Sequence, residues 1–197
     1  MLFPLKELRM QETYYTSDLH FFHKSVCTFN KRPWTNDENT ERLIDKWNTM
    51  VKPGDTTYSL GDFAFLPQSG IETLLQLIEC LNGNKVFILG NHDDPRLWAK
   101  VQKANLSRVQ FIGDYRKVKI NNQEIVMSHY PFEIWNRSHY GTWHLHGHCH
   151  GSMPVRGKRL DVGIDNHVEH RFFTFEEIES HMKNFAIWAP DNHKPKV

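Results

Sequence analysis

Four histidines alternate in the run WHLHGHCHG, residues 143–151: His144, His146, His148 and His150. Neutral imidazole is a ready metal ligand and a ready acid or base near neutral pH. In an extended segment, residues two apart share a face, so His148 and His150 can point the same way while Cys149 points elsewhere. Such a run is a metal site, an accident of composition or the polar face of a strand, and the rest of the chain must decide. Histidine is already the compositional outlier, at 13 of 197 residues. More telling is where the other polar residues fall. Asp18 and His20 follow the β-rich run TYYTS (13–17), Asp62 follows DTTYSL (55–60), and Asn91 and His92 follow KVFIL (85–89). His129 ends IVMS in the same manner. Carboxylate and amide oxygen together with imidazole nitrogen suit a hard-to-borderline divalent ion such as Mn, Fe or Zn. The donors are too many for one tetrahedral ion. Two adjacent ions sharing a bridging carboxylate would use them all.

The elements that must position these residues follow from periodicity. NDENTERLIDKWNTMV (36–51) places Leu43, Ile44 and Trp47 at helical spacing and closes at Lys52-Pro53-Gly54. SGIETLLQLIECLNG (69–83) reads as a second amphipathic helix, with Ser69 as its N-cap and Gly83 just past its end. The order strand, helix, strand, helix, strand predicts an α/β layered fold with parallel strands. In such sheets ligands gather at the carboxyl ends of the strands, where the polar residues fall here. Beyond about residue 108 the texture changes to VQFIGD, YRKVKI, QEIVMSHY, the WHLHGH run and RLDVGID, short strands joined by turns. Asn121-Asn122 is a hairpin turn of the type that needs left-handed backbone. TFEEIESHMKN (174–184) ends the series as a helix, with Thr174 and Glu177 forming a capping box. No repeat, low-complexity tract or linker interrupts the chain, so a single domain over 1–197 is expected.

Bulk composition narrows the function. Hydrophobic content of 39% and charged content of 24% are those of an ordinary globular protein. A formal charge of +1 provides no dedicated surface for duplex nucleic acid. No apolar stretch approaches the roughly 18 residues of a membrane span. The leading MLFPLKELRMQE carries charges where a signal peptide needs an apolar run, so secretion by that route is not expected. Cys27, Cys80 and Cys149 are few, odd in number and scattered, as expected of thiols in the reducing cytoplasm.

Asp18-Leu19-His20, Gly61-Asp62, Gly90-Asn91-His92-Asp93, His129 and Gly147-His148-Cys149-His150 stand in that order along the chain. The series resembles the five signature blocks of the calcineurin-like metallophosphoesterases, from about residue 13 to about 180. Ser17–Phe21, Ser128–Pro131 and Val162–Asp165 make it similar to the small stand-alone bacterial and phage members. The resemblance implies a four-layer αββα sandwich, two mixed sheets face to face with helices outside. It also implies two metal sites: Asp18, His20 and His150 for the first ion, Asn91, His129 and His148 for the second, and Asp62 bridging both. Two cations about 3.5–4 Å apart bind a phosphate ester and supply hydroxide in line with the leaving group, because a bound metal lowers the pKa of water to about 7. His92 would stabilise the transferring phosphoryl group or protonate the leaving alcohol, and Asp93 would hold its tautomer by accepting a ring N–H.

That resemblance implies a metal-dependent hydrolase of phosphomono- or phosphodiesters, with nucleotides among the substrates. Mn is the first choice of ion, with Fe, Zn or Ni as alternatives. A nuclease of the same superfamily is the nearest rival, although the chain has little room for a DNA-binding domain. A scaffold that has lost catalysis is a further one, against which every ligand position is filled. GDFAF departs from the Gly-Asp-x-x-Asp-Arg-Gly of the protein phosphatases, and Leu89 stands where that branch carries an Arg. Protein phosphatase activity is therefore not expected. Outside the blocks, His23, Lys24, Arg32 and Trp34 could wall the pocket, a cation meeting phosphate and a ring stacking on a base, or they could form a solvated loop anchored by Pro33-Trp34. Arg137 is a similar candidate. His146 could face the ligands or the substrate, while His144 reads as structural and Cys149 as a small thiol. His139, His167, His170, His181 and His193 are expected on the surface.

Overall fold

In the computed structural model, which describes residues 10–190, nine strands form two mixed sheets. The first has the order β4-β3-β2-β1-β9, from β1 (Thr13–Thr16), β2 (Thr56–Leu60), β3 (Asn84–Ile88), β4 (Val109–Phe111) and β9 (Phe173–Thr174). All its pairings are parallel except β1 with β9. The second has the order β5-β6-β7-β8, from β5 (Tyr115–Ile120), β6 (Gln123–Ser128), β7 (Trp143–His146) and β8 (Arg159–Asp161). There β6, β7 and β8 run parallel, and β5 pairs antiparallel with β6. The expected two mixed sheets are thus present. A parallel bridge between Ser17 and Gly163 joins the sheets just past the ends of β1 and β8.

Alternation along the strands sorts side chains between two apolar clusters. Tyr14 and Phe87 face the cluster that holds the helices, whereas Tyr15, Leu60 and Ile88 face Ile125, Met127 and Leu145 of the second sheet. Three helices cover the first sheet: α2 (Asn39–Met50) through Leu43 and Trp47, α3 (Ile71–Cys80) through Leu74, Leu77 and Ile78, and α4 (Pro95–Ala104) through Leu97, Trp98 and Val101. Each such side chain, fully buried, contributes about 1.5–3 kcal/mol. A fourth helix, α5 (Phe175–Asn184), inserts Phe175, Ile178 and Met182 into the cluster between the sheets. A short helix, α1 (Val26–Asn30), interrupts the segment after the first block.

Local chemistry sets the boundaries. Thr174 and Glu177 form the expected capping box at the start of α5. Asn121 and Asn122 both adopt positive φ, 47° and 66°, as the two-residue β5–β6 turn requires. Ser69, in contrast, is not the cap of α3: Gly70 occupies that position and no side chain caps the helix. The sequence reading also passed over α4. Its signals are strong, since the Asp94 carboxylate accepts from Arg96 N and Leu97 N, Pro95 opens the helix and Asn105 closes it in left-handed backbone. No helix among the described residues is long and apolar enough to cross a membrane.

Candidate metal centre

Asp18, Asp62 and Asn91 follow β1, β2 and β3, and His129 and His148 follow β6 and β7. Parallel pairing within each sheet brings these ends to one rim, and the Ser17–Gly163 bridge brings the two rims together. There the donor atoms of Asp18, His20 and His150 lie within 4.8 Å of one another, as do those of Asp62, His129 and His148. Asp62 joins the two trios. Its Oδ2 is 3.7 Å from His20 Nε2 and 3.5 Å from His129 Nε2. Asn91 Oδ1 lies 3.0 Å from His129 Nε2 and 2.9 Å from His148 Nδ1. All seven expected ligand residues therefore converge.

The backbone is bent to achieve this. Asp18, His20, Asp62, His148 and His150 all have φ between 44° and 70°, a region that costs a non-glycine residue of order 1–3 kcal/mol. Glycines let neighbouring chain approach: a Cβ on Gly61 would collide with the His129 ring, and one on Gly147 with Ser17 Oγ.

Hydrogen bonds behind the cluster fix which imidazole nitrogen faces it. His129 Nδ1–H donates to the Leu60 carbonyl (2.8 Å), which turns Nε2 toward Asp62 and Asn91. His150 Nδ1–H donates to Asp165 Oδ2 (2.7 Å), and its Nε2 faces Asp18 at 3.8 Å. Such carboxylate and carbonyl partners are the usual means of orienting metal-binding histidines. Asp165, the last residue of the Val162–Asp165 motif, thus takes a role that its sequence position does not reveal. It is held in turn by Asn30 Nδ2 (3.0 Å) and by two nitrogens of Arg32.

Arg32 is not a wall of the pocket. Its guanidinium is buried and donates to Asp165 Oδ1 and Oδ2, the Leu19 and Asp18 carbonyls and Asn39 Oδ1, which uses all five of its N–H groups. Nothing remains for phosphate. Trp34 is half-buried at the edge of the helix-side cluster, donates Nε1–H to Asn39 Oδ1 and carries the Lys46 ammonium over its ring at 5.6 Å. Arg137 lies 3.5 Å from Glu124 near the start of β6, at the opposite end of the strand from His129.

The expectation for Asp93 is also corrected. Its carboxylate accepts backbone N–H from Phe63, Ala64 and Gly90, and makes no hydrogen bond to the His92 ring. Burial favours this outcome, since a buried carboxylate takes the nearest fixed donors, and it pushes the Asp93 carboxyl up to about 6. His92 instead donates its backbone N–H to Asp62 Oδ1 (2.8 Å) and leaves its ring exposed, edge-on to His20 at 5.3 Å between centroids.

His144 is structural, as read from sequence. It is fully buried, stacks on Phe132, donates from Nδ1 to the Val126 carbonyl and accepts from Phe132 N at Nε2. His146 donates Nδ1–H to the Gly147 carbonyl and gathers with Cys149 and Asp161. The carboxylate of Asp161 accepts from Gly151 N and Gly163 N, pinning the loops around the last block. His167 is buried rather than superficial, 3.5 Å from Glu177, and His193 lies outside the described residues.

The donor set fits divalent cations. Asp18 is completely buried, and burial pushes its carboxyl up to about 7 despite His150 and His129 nearby. His20 keeps a buried Nδ1 with no hydrogen-bond partner, and burial holds its pKa down to about 3. Burial also works against ionised Asp62, but the His129 hydrogen bond and charge and the His92 N–H outweigh it and hold the carboxyl at about 2. Two buried carboxylates packed among imidazoles, with His20 held neutral by burial, make a donor set well matched to positive ions.

The calcineurin-like phosphoesterase family model matches residues 13–195. The chain is 31% identical over 166 residues to the uncharacterized protein MJ1445 of Methanocaldococcus jannaschii, covering 80% of this chain and 84% of that protein. It is 27% identical over 185 residues to the gene 66 protein of a mycobacterial phage, covering 79% and 87%. Among solved structures, a protein of unknown function from Aquifex aeolicus superposes with a TM-score of 0.64 at 22% identity, over 87% of this chain and all of that one, which reflects a shared fold.

Proposed function

The chain belongs to the calcineurin-like phosphoesterase family, and from that premise we propose that it hydrolyses small phosphomono- or phosphodiesters, nucleotides among them, at a centre of two divalent cations. The observation that carries this reading is Asp62, whose single carboxylate reaches both histidine trios. Asp18, His20 and His150 would hold one ion, Asn91, His129 and His148 the other, with Asp62 shared. Bound ions of this kind neutralise phosphate charge and lower the pKa of water toward neutrality.

The chain's own residues do the rest. Leu60 and Asp165 hold His129 and His150 in the tautomers that present Nε2 to the rim. Asp93 fixes the turn from Gly90 to Asp94 against Phe63 and Ala64, which sets the His92 ring at the mouth of the site. From there His92 is placed to protonate the leaving oxygen. Mn is the proposed activating ion, with Fe, Zn or Ni able to occupy the same N/O donors. Cys27, Cys80 and Cys149 are all free, in keeping with the cytoplasm.

The test uses protein stripped with chelator and reloaded with Mn. Hydrolysis of an aryl phosphate or an aryl phosphodiester should appear on reloading, with two ions bound per chain, and Asp62→Asn should abolish both. Turnover that survives complete metal removal, or two ions retained by the variant, overturns the reading.

A further inference from the structure

Beside Asn91 and His92 opens a groove of about 540 Å³ whose wall includes Phe65 and Arg96. Phe65 is 48% exposed, yet its backbone is not loose. Its N–H donates to the Phe21 carbonyl (2.9 Å), the preceding residue bridges to Phe21, and Asp93 ties down Phe63 and Ala64. The ring is therefore presented to the groove by a fixed turn. It stands edge-on to His92 at 5.8 Å and lies 4.8 Å from His23, with Phe29 beyond. An aromatic face held rigidly in a groove is a stacking platform that costs little ordering when a planar ligand arrives.

Position decides which part of the ligand arrives there. On the phosphoester reading the phosphoryl group would sit at the cations that the converging carboxylates and imidazoles would hold, and His92 lies beside both that rim and the groove. The group that leaves past His92 is then the one that enters the groove. Resting on the phosphoester reading above, we propose that the alcohol part of the substrate is a nucleoside, whose base stacks on Phe65. Arg96 and Asp94 stand on the same wall, a cation and an acceptor suited to sugar hydroxyls. Trp34, which the sequence offered either as a stacking ring or as a loop anchor, is half-buried, with Lys46 over its ring and its Nε1–H on Asn39, and it does not line this groove.

A matched pair of ligands isolates the base: adenosine 5′-monophosphate and ribose 5-phosphate, which share sugar and phosphate. With the Mn-loaded full chain, kcat/KM for the nucleotide should exceed that for the sugar phosphate by about 5- to 150-fold, the range of one base–aromatic stack. Phe65→Ala should bring that ratio close to one through KM, and Phe65→Trp should restore it. A wild-type ratio near one, or a preference that survives Phe65→Ala, overturns the proposal. Equilibrium binding of the same two ligands gives the same comparison without turnover. If neither monoester is hydrolysed, the equilibrium binding ratio alone decides the stacking site, and the aryl phosphate and aryl phosphodiester assay above decides the phosphoester reading separately.

Discussion

His150 and Asp165 are joined by a 2.7 Å hydrogen bond from Nδ1–H to Oδ2, fifteen residues apart and on opposite sides of β8 in the chain. Burial opposes the charge on Asp165, but His150 and Arg32 outweigh it and hold the carboxyl at about 2. The ionised carboxylate makes the ring a better donor through Nε2 and fixes where that nitrogen points. Asp165→Asn should therefore weaken metal binding about 10- to 100-fold while leaving the ligand set unchanged. Titration of the stripped protein with Mn should show one of two sites weakened, with activity recovered at high metal. Equal affinity at both sites would remove Asp165 from this role.

His92 is the exposed imidazole of the rim that the ligand set does not need. His92→Asn should keep two ions per chain, because its link to Asp62 is through the backbone N–H. Turnover should fall by about 10²–10⁴-fold for esters with poor leaving groups and far less for aryl esters, which leave without a proton. A uniform loss across leaving groups would argue that the ring binds phosphate instead. Loss of the ions would place it among the ligands.

Most of the rim was legible before the structure because its signal is local. A strand that stops at a carboxylate or imidazole announces itself, and it does so five times here. Capping was legible for the same reason at Thr174 and Glu177, and turn chemistry at Asn121 and Asn122. What escaped is what depends on distant partners. Nothing around Arg32 reveals that Asp165, 133 residues later, will take two of its nitrogens. Asp93 sits next to His92, which suggested a pair, yet two of its partners are backbone amides thirty and twenty-nine residues away. The α4 helix is the exception, since Asp94, Pro95 and Asn105 mark both of its ends locally.

Arg32 separates two physical roles that sequence could not. With five donors committed inside the protein, its loss should appear as instability and not as weak substrate binding. Arg32→Lys keeps the charge but cannot span Asp165, Asn39 and two carbonyls. Breaking a buried pair of this kind costs about 3–5 kcal/mol, so the thermal midpoint should fall on the order of 10 °C. At saturating Mn, KM of whatever folded fraction remains should stay near the wild-type value. A raised KM with an unchanged midpoint would return Arg32 to the pocket wall.

His144 supplies a pH dependence away from the metal rim. Both its nitrogens are used in the neutral form, Nδ1 as donor and Nε2 as acceptor from Phe132 N. Protonating Nε2 would set two donors against each other in a buried site, and burial, with His146 nearby, holds the pKa down to about 3. Between that value and an unfolded value of about 6.5, the unfolded chain binds the extra proton. Stability from His144 is thus fully present above about pH 6.5 and is lost as pH falls toward 3. His144→Leu strands the Phe132 N–H and should cost about 1–3 kcal/mol at pH 7.5. Its stability should then decline less steeply than the wild type's below pH 6.5, since one acid-sensitive group is gone. Urea unfolding of the two chelated proteins at pH 7.5, 6 and 5 checks both signs. Parallel declines would mean that His144 titrates in the fold as it does in the unfolded chain.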